Sequence, residues 1–197
     1  MTPIPSLLAR IDYAAGTIDG CPAARRTLSQ AADAFADAAA VRAALAHGDP
    51  LLYTVSTCEY GVGSADLHCG LGVLFPGCVG EEYFMTRGHM HARKDAPELY
   101  VGIRGRGMML MQRGDGSEPR EVPLTGECLV YVPGGTAHRT VNVGDEPLIY
   151  LGIYGADAGH DYESIRKRNF TNVVLRRGNA PCVIPRAEYL SSLQGEK

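Results

Sequence analysis

The chain of 197 residues has no apolar run approaching the ~20 residues that a membrane-spanning helix needs. It has no basic excess either. With 19 Lys and Arg against 22 Asp and Glu, its formal net charge is −3, and its pI is near 6.1. A nucleic-acid partner would call for a basic face, so none is expected. The first residues, Met1-Thr2-Pro3-Ile4-Pro5-Ser6-Leu7-Leu8-Ala9-Arg10, have neither a basic start nor a long apolar segment, and no secretory leader is expected there. No Cys-x-x-Cys pair occurs among Cys21, Cys58, Cys69, Cys78, Cys128 and Cys182. A chain of this length can bury a core without staples, so free thiols in a reducing cytoplasm are the expectation. Internal repeats, low-complexity tracts and a linker long enough to separate a second domain are also missing.

What remains is the composition of an ordinary globular chain, 45% hydrophobic and 21% charged. Its 24 glycines and 12 prolines suit a fold full of turns. Residues 31–47 are rich in alanine, with Phe35, Val41, Ala44 and Leu45 as a candidate buried stripe and Gly48 as a stop, which predicts one short helix or two. From Leu51 the pattern changes to short apolar runs: Leu51–Val55, Leu67–Phe75, Tyr83–His91, Glu98–Ile103, Met108–Gln112, Arg120–Pro123, Leu129–Val132, His138–Asn142 and Leu148–Tyr154. Turn signals separate them, including Pro76-Gly77, Gly105-Arg106-Gly107, Gly114-Asp115-Gly116 and Pro133-Gly134-Gly135. Many strands at near-regular spacing predict an all-β fold, a sandwich or barrel. The expected layout is an N-terminal extension over residues 1–50, a jelly-roll barrel over 51–155, and a capping loop with a C-terminal segment over 156–197.

Four residues carry the chemistry. His89 and His91 stand one residue apart, and strand side chains alternate, so both point to one face. Glu98 opens the next apolar run, and His138 opens a later one. If these strands face one cavity, three imidazoles and a carboxylate converge on one point. That donor set suits a divalent transition metal with positions left over for a ligand. Any one of the histidines alone would be unremarkable; the combination is what specifies the site.

The surrounding residues carry a family likeness. Gly88-His89-Met90-His91 with Glu98, followed by Gly126 and Pro133 ahead of His138, resembles the two motifs of cupins. Thr86-Arg87-Gly88-His89-Met90-His91, Glu98-Leu99-Tyr100-Val101, Tyr131-Val132-Pro133, Ala137-His138-Arg139-Thr140-Val141-Asn142 and Ala156-Asp157-Ala158-Gly159-His160-Asp161-Tyr162 resemble the cupin-type phosphoglucose isomerases. The likeness covers roughly residues 10 to 175. It implies a cupin jelly roll and a homodimeric, metal-dependent enzyme that interconverts glucose 6-phosphate and fructose 6-phosphate in glycolysis or gluconeogenesis. By position it implies His89, His91, Glu98 and His138 as metal ligands. It places Tyr53, Thr86, Gly88, His160 and Tyr162 around the sugar phosphate, and Tyr100 and Tyr154 along the sugar pocket. Iron(II) is the favoured metal, with nickel, manganese or zinc also suited to three nitrogens and one oxygen.

Two departures stand out. The family's threonines before the third apolar stretch are replaced by Leu71-Gly72, and its double proline is Pro133-Gly134 here. The first removes a hydroxyl that could hold the phosphate. A threonine restored at Gly72 is therefore expected to tighten binding, with Arg87 as the strongest stand-in donor among Cys78, Arg87 and water. Moving a hydrogen between adjacent sugar carbons needs a base at the metal's edge, and Glu98 is the candidate, through an enediol. Two alternatives keep the same ligands: a mononuclear iron dioxygenase and a non-catalytic sugar-binding cupin.

Overall fold

The structure, a computed structural model, describes residues 8–195. Residues 1–7, most of the segment read for a leader, lie outside the described residues. The chain begins with β1 (Ile11–Asp12), β2 (Thr17–Ile18) and β3 (Ala23–Thr27), then a 3-10 turn (Ser29–Ala34) and α1 (Ala38–Ala46). The alanine-rich stretch thus forms two short helical pieces. Asp37 separates them and caps α1 by accepting the N–H groups of Ala39 and Ala40.

Next come β4 (Leu51–Glu59), β5 (Leu67–Leu74), β6 (Cys78–Val79) and β7 (Glu82–Tyr83). They are followed by β8 (Glu98–Arg104), β9 (Arg106–Arg113), β10 (Arg120–Thr125), β11 (Leu129–Val132), β12 (Thr136–Asn142) and β13 (Leu148–Gly155). The chain ends with α2 (Glu163–Arg168), β14 (Asn172–Arg177), β15 (Ala180–Pro185) and α3 (Arg186–Gly195).

Two antiparallel sheets form the walls of a cupin-type jelly-roll barrel. One has the order β11-β8-β13-β5-β4-β3, the other β10-β9-β12. The segment 84–90 extends the second wall beside β12 through bridges at Met85–Val141 and His89–His138. A further sheet, β15-β14-β7-β6, adds the C-terminal hairpin. The sequence did not announce β3, β14, β15 or the last two helices. The expected strand Tyr83–His91 is also not continuous: it breaks into β7 and isolated bridges. Gly88 sits at φ +77 within it, a left-handed conformation that no regular strand accepts.

The lumen follows the strand period. Tyr53, Val55 and Thr57 of β4, Gly70 and Gly72 of β5, Glu98 and Tyr100 of β8, and Tyr150, Gly152 and Tyr154 of β13 all face one central cavity. The core beneath it joins the N-terminal segment to the barrel, since Leu28, Phe35 and Val41 pack in one cluster with Leu52, Phe84, Met109 and Leu148. At the corner between β12 and β13, Asn142 is fully buried. Its amide donates to Leu74 O and Glu146 O at 2.9 Å each, and its oxygen accepts from Gly144 N–H at 2.9 Å. Asn142→Ala strands these groups, and each buried group left unpaired costs about 1–3 kcal/mol. The expected loss, read from urea denaturation, is on the order of 3 kcal/mol. A shift under about 1 kcal/mol, less than a single such group costs, would contradict this role for the corner.

Candidate metal centre

His89 and His138 are placed by their own backbones. The His89 N–H donates to His138 O at 3.1 Å, and the His138 N–H returns a bond to His89 O at 3.0 Å. This pair ties the irregular segment to β12. Gly88, just before it, has no room for a side chain: a β-carbon there would lie 2.7 Å from the Phe170 ring. Glu98 opens β8, in the opposite wall, directly across from Tyr154.

The four expected ligands come together. One donor atom from each of His89, His91, Glu98 and His138 lies within 4.8 Å of the others. His91, Glu98 and His138 are at most 5% exposed. Glu98 Oε2 is 3.0 Å from His138 Nε2 and 3.2 Å from His91 Nε2, the latter without hydrogen-bond alignment. The outer nitrogens are already engaged: His91 Nδ1 bonds Ala96 O at 2.9 Å, and His138 Nδ1 faces Thr136 O at 3.3 Å. A carbonyl can only accept, so each neutral ring carries its proton on Nδ1 and turns an Nε2 lone pair inward. His89 Nε2 is buried with no partner. Lone pairs and a carboxylate thus converge with too few protons among them, and a divalent cation resolves that. The residues fit one.

The electrostatics agree. Burial opposes ionisation of Glu98, but the adjacent His138 and His91 imidazoles outweigh it and hold the carboxyl well below the usual range. Burial, reinforced by His138, pushes His89 well below its ordinary value, so it is neutral and ready to ligate. Burial also disfavours the charged form of His91, yet Glu98 and the Ala96 carbonyl raise it overall.

Around this cluster lies a cavity of about 210 Å³. Tyr53, Thr86, Gly88, Tyr100, Tyr154, His160 and Tyr162 all line it, as do His89, Glu98 and His138, and His91 lies against Glu98. His160 sits at the end of the cavity beside the histidine cluster, its ring 4.5 Å from that of His89 and stacked on Tyr162. The loop that carries it is hydrogen-bonded to the ligand segment through Met90–Asp161 and Ala92–Gly159.

The sequence profile described as "Glucose-6-phosphate isomerase (GPI)" matches residues 25–187. The chain belongs to this family. It is similar to the glucose-6-phosphate isomerase of Pyrococcus horikoshii, 41% identical over 175 residues that cover 89% of this chain and 92% of that one. The glucose-6-phosphate isomerase of Thermococcus kodakarensis is 44% identical over 165 residues, 84% of this chain and 86% of that one. Among solved structures, an oxalate oxidase in complex with the substrate analogue glycolate aligns with a TM-score of 0.48 at 13% identity, over 58% of this chain and 56% of that one.

Within this family member, three expectations need correction. Arg87 is not a donor to the cavity. Its guanidinium turns away to Asp33 at 2.9 Å, in the same outward charge layer as Arg93 with Asp157 and Lys94 with Asp161. Cys78 lies on β6, away from the lining. A side chain at position 72 has no vacant space, because the Tyr150 ring lies there. The cavity also holds residues that the motifs did not flag: Arg26, Thr57, Arg139, Thr140 and Tyr150. Period-2 alternation inside the expected strands could have found Thr140 and Tyr150; Thr57 lies two residues past the expected run Leu51–Val55, on a strand that continues to Glu59. Arg26 lies in the Arg25-Arg26 pair that the family likeness includes, but no cavity role was read there because β3 was not anticipated.

Removing even an outer partner of a metal ligand typically lowers affinity about 10–100-fold. His138→Ala removes a ligand, so titration with a divalent metal should show at least that loss, with the barrel's circular dichroism retained. Wild-type affinity in the variant would refute the ligand set.

Proposed function

We propose that this protein is a metal-dependent aldose–ketose isomerase interconverting glucose 6-phosphate and fructose 6-phosphate, with His89, His91, Glu98 and His138 as the metal ligands. The observation that carries the reading is the buried cluster of three histidines and one glutamate, in a chain that belongs to the glucose-6-phosphate isomerase family. Family membership favours isomerisation over the oxygen-activating and non-catalytic readings. A divalent cation held there supplies Lewis acidity that polarises a carbonyl and acidifies a neighbouring hydroxyl. Iron(II) is the proposed occupant, although nickel, manganese and zinc suit the same donors.

The protein's own groups divide the work between two ends of the cavity. At the metal end, Glu98 is the base. Its Oε2 is taken up by His138 and His91, while Oε1 borders Gly152, where the missing side chain leaves the carboxylate room. Glu98 would become basic enough to take a carbon-bound proton, giving an enediol, only as its hold on the bound cation loosens on substrate entry. Tyr154, pushed up to about 12 by burial and then by Glu98, stays protonated beside it as a donor to sugar oxygens. Tyr100, raised well above its ordinary value by burial, does the same. His160, lowered by burial, is a neutral imidazole that can accept or donate next to His89.

At the other end, Arg26 and the buried Arg139 bring positive charge to Tyr53, and Thr86 lines the same cavity. Burial and then Arg186 lower Arg139 to about 9, which leaves it cationic near neutrality. That end suits the phosphate. Gly88 and Tyr162 lie between the two.

The proposal extends to the rest of the molecule. Of the described residues, those up to 50 act as an extension on the barrel of 51–155, and the loop that opens the segment 156–197 caps its mouth ahead of the C-terminal hairpin, as the pairing of β3 with β4 and of Met90 with Asp161 supports. The protein works in the cytoplasm, a location the six free thiols support. It works as a homodimer. Edge strand β11 leaves Leu129 and Tyr131 more than half exposed, an unsatisfied sheet edge for a second copy. Sedimentation at micromolar concentration should give twice the 21.1 kDa chain mass; a single-chain mass would refute the dimer.

A coupled assay with fructose 6-phosphate tests the reaction. Chelation should abolish turnover, and added metal should restore it. Glu98→Gln keeps a coordinating oxygen but loses the basicity, so turnover should fall by at least ~100-fold with metal still partly bound. Near-normal turnover with metal retained would remove Glu98 as the base.

A further inference from the structure

The bare position at Gly72 is explained by the residue facing it. Tyr150 on β13 lies between two glycines, Gly72 on β5 and Gly102 on β8. A β-carbon built on Gly72 would meet the tyrosine ring, 2.6 Å from Cε2 and 2.7 Å from Oη. The pairing of β13 with β8 slips by one residue between Ile149 and Tyr150, a bulge of the kind that re-aims a side chain. The ring therefore lies across the glycine, with its hydroxyl in the space a side chain of residue 72 would fill.

That hydroxyl is held in one orientation. Thr140 Oγ1 donates to Tyr150 Oη at 3.1 Å. Having accepted this bond, Tyr150 keeps its own proton, for which no acceptor exists among the described residues. The neighbouring Thr86 hydroxyl accepts the Thr140 N–H at 3.0 Å and likewise keeps a proton to give. All three residues line the cavity, and Tyr150 and Thr140 are at most 6% exposed. Burial pushes the Tyr150 phenol above its ordinary range, so it serves as a donor and takes no part in proton transfer.

Its place along the barrel fits the anion end. Tyr154 stands across from Glu98, and Tyr150 is four residues earlier on the same face of β13, about 13 Å at ~3.3 Å per residue. Thr140 lies two residues beyond the ligand His138 on its strand, about 7 Å away. Arg26 and Arg139 border the same cavity, the Arg139 guanidinium being held on Ala34 O and Arg87 O.

We infer that Tyr150 is a specificity-determining residue of this chain: its hydroxyl, fixed by Thr140 and given room by Gly72, donates to the phosphate of the hexose phosphate. This rests on the isomerase reading. The absent threonine hydroxyl is replaced from the opposite strand, so Gly72→Thr displaces the donor and does not add one.

Steady-state kinetics of the metal-loaded protein test the inference. Tyr150→Phe should raise KM for fructose 6-phosphate about tenfold or more, the effect of losing a hydrogen bond to a charged group, and leave kcat nearly unchanged. Competitive inhibition by inorganic phosphate should weaken to a similar degree. Gly72→Ala, which pushes the ring aside, should raise KM in the same way. Combined with Tyr150→Phe it should add nothing, because both changes act through one hydroxyl. An unchanged KM in Tyr150→Phe, or additive effects in the double variant, would overturn the assignment. So would a raised KM with unaltered inhibition by phosphate, which would put the hydroxyl on the sugar. A metal-loaded wild type unable to isomerise fructose 6-phosphate would overturn the isomerase reading itself and this inference with it.

Discussion

A carboxylate buried as deeply as Glu98 is tolerated only where opposite charge or good donors meet it. Here it meets three imidazoles whose inward nitrogens are themselves short of protons, and the surrounding structure holds that arrangement in place. The carbonyls of Ala96 and Thr136 orient the outer nitrogens of His91 and His138. The reciprocal backbone pair between His89 and His138 locks the ligand segment to one wall, while Glu98 reaches in from the other. The barrel is the device that brings these two walls face to face. A cation held by these donors would tie the two walls together, so the site and the fold depend on each other.

The cavity beside this cluster differs in character from end to end. Near the ligands it offers a carboxylate, a neutral histidine and protonated tyrosines, which suits a reacting carbonyl and hydroxyl. Further along it offers Arg26, the buried Arg139 and a group of hydroxyls that keep their protons. A molecule with one pair of oxygens for the cation and an anionic group at its other end matches that polarity. Electrostatics at the two ends would also orient such a substrate before any chemistry begins.

Much of this was legible from the sequence. His89, His91, Glu98 and His138 were found because strand alternation and run-opening positions are local features. Seven expected strands appear with ends shifted by a few residues; β11 matches residue for residue. The failures share a cause. Tyr83–His91 read as one strand because apolar content does not reveal that Gly88 takes φ +77. Arg87 read as a phosphate donor because it adjoins the ligand motif, yet adjacency in sequence does not say which way a side chain turns; Asp33, 54 residues earlier, draws it outward. Gly72 read as a missing hydroxyl because its partner Tyr150 is 78 residues away and becomes a neighbour only through the β5–β13 register. The place of Arg26 at the cavity was hidden because β3 is too short and too polar to recognise. Long-range pairing decided each of these, and the sequence alone does not encode it visibly.

The most direct measurement is anomalous diffraction from a crystal of protein that has first been shown to isomerise fructose 6-phosphate. The account predicts one strong anomalous peak per chain. It should lie about 2.0–2.2 Å from Nε2 of His89, His91 and His138 and from a Glu98 carboxylate oxygen, the distances a first-row divalent ion takes with such donors. An active protein whose peak lies elsewhere, or that has none at these four side chains, would contradict it.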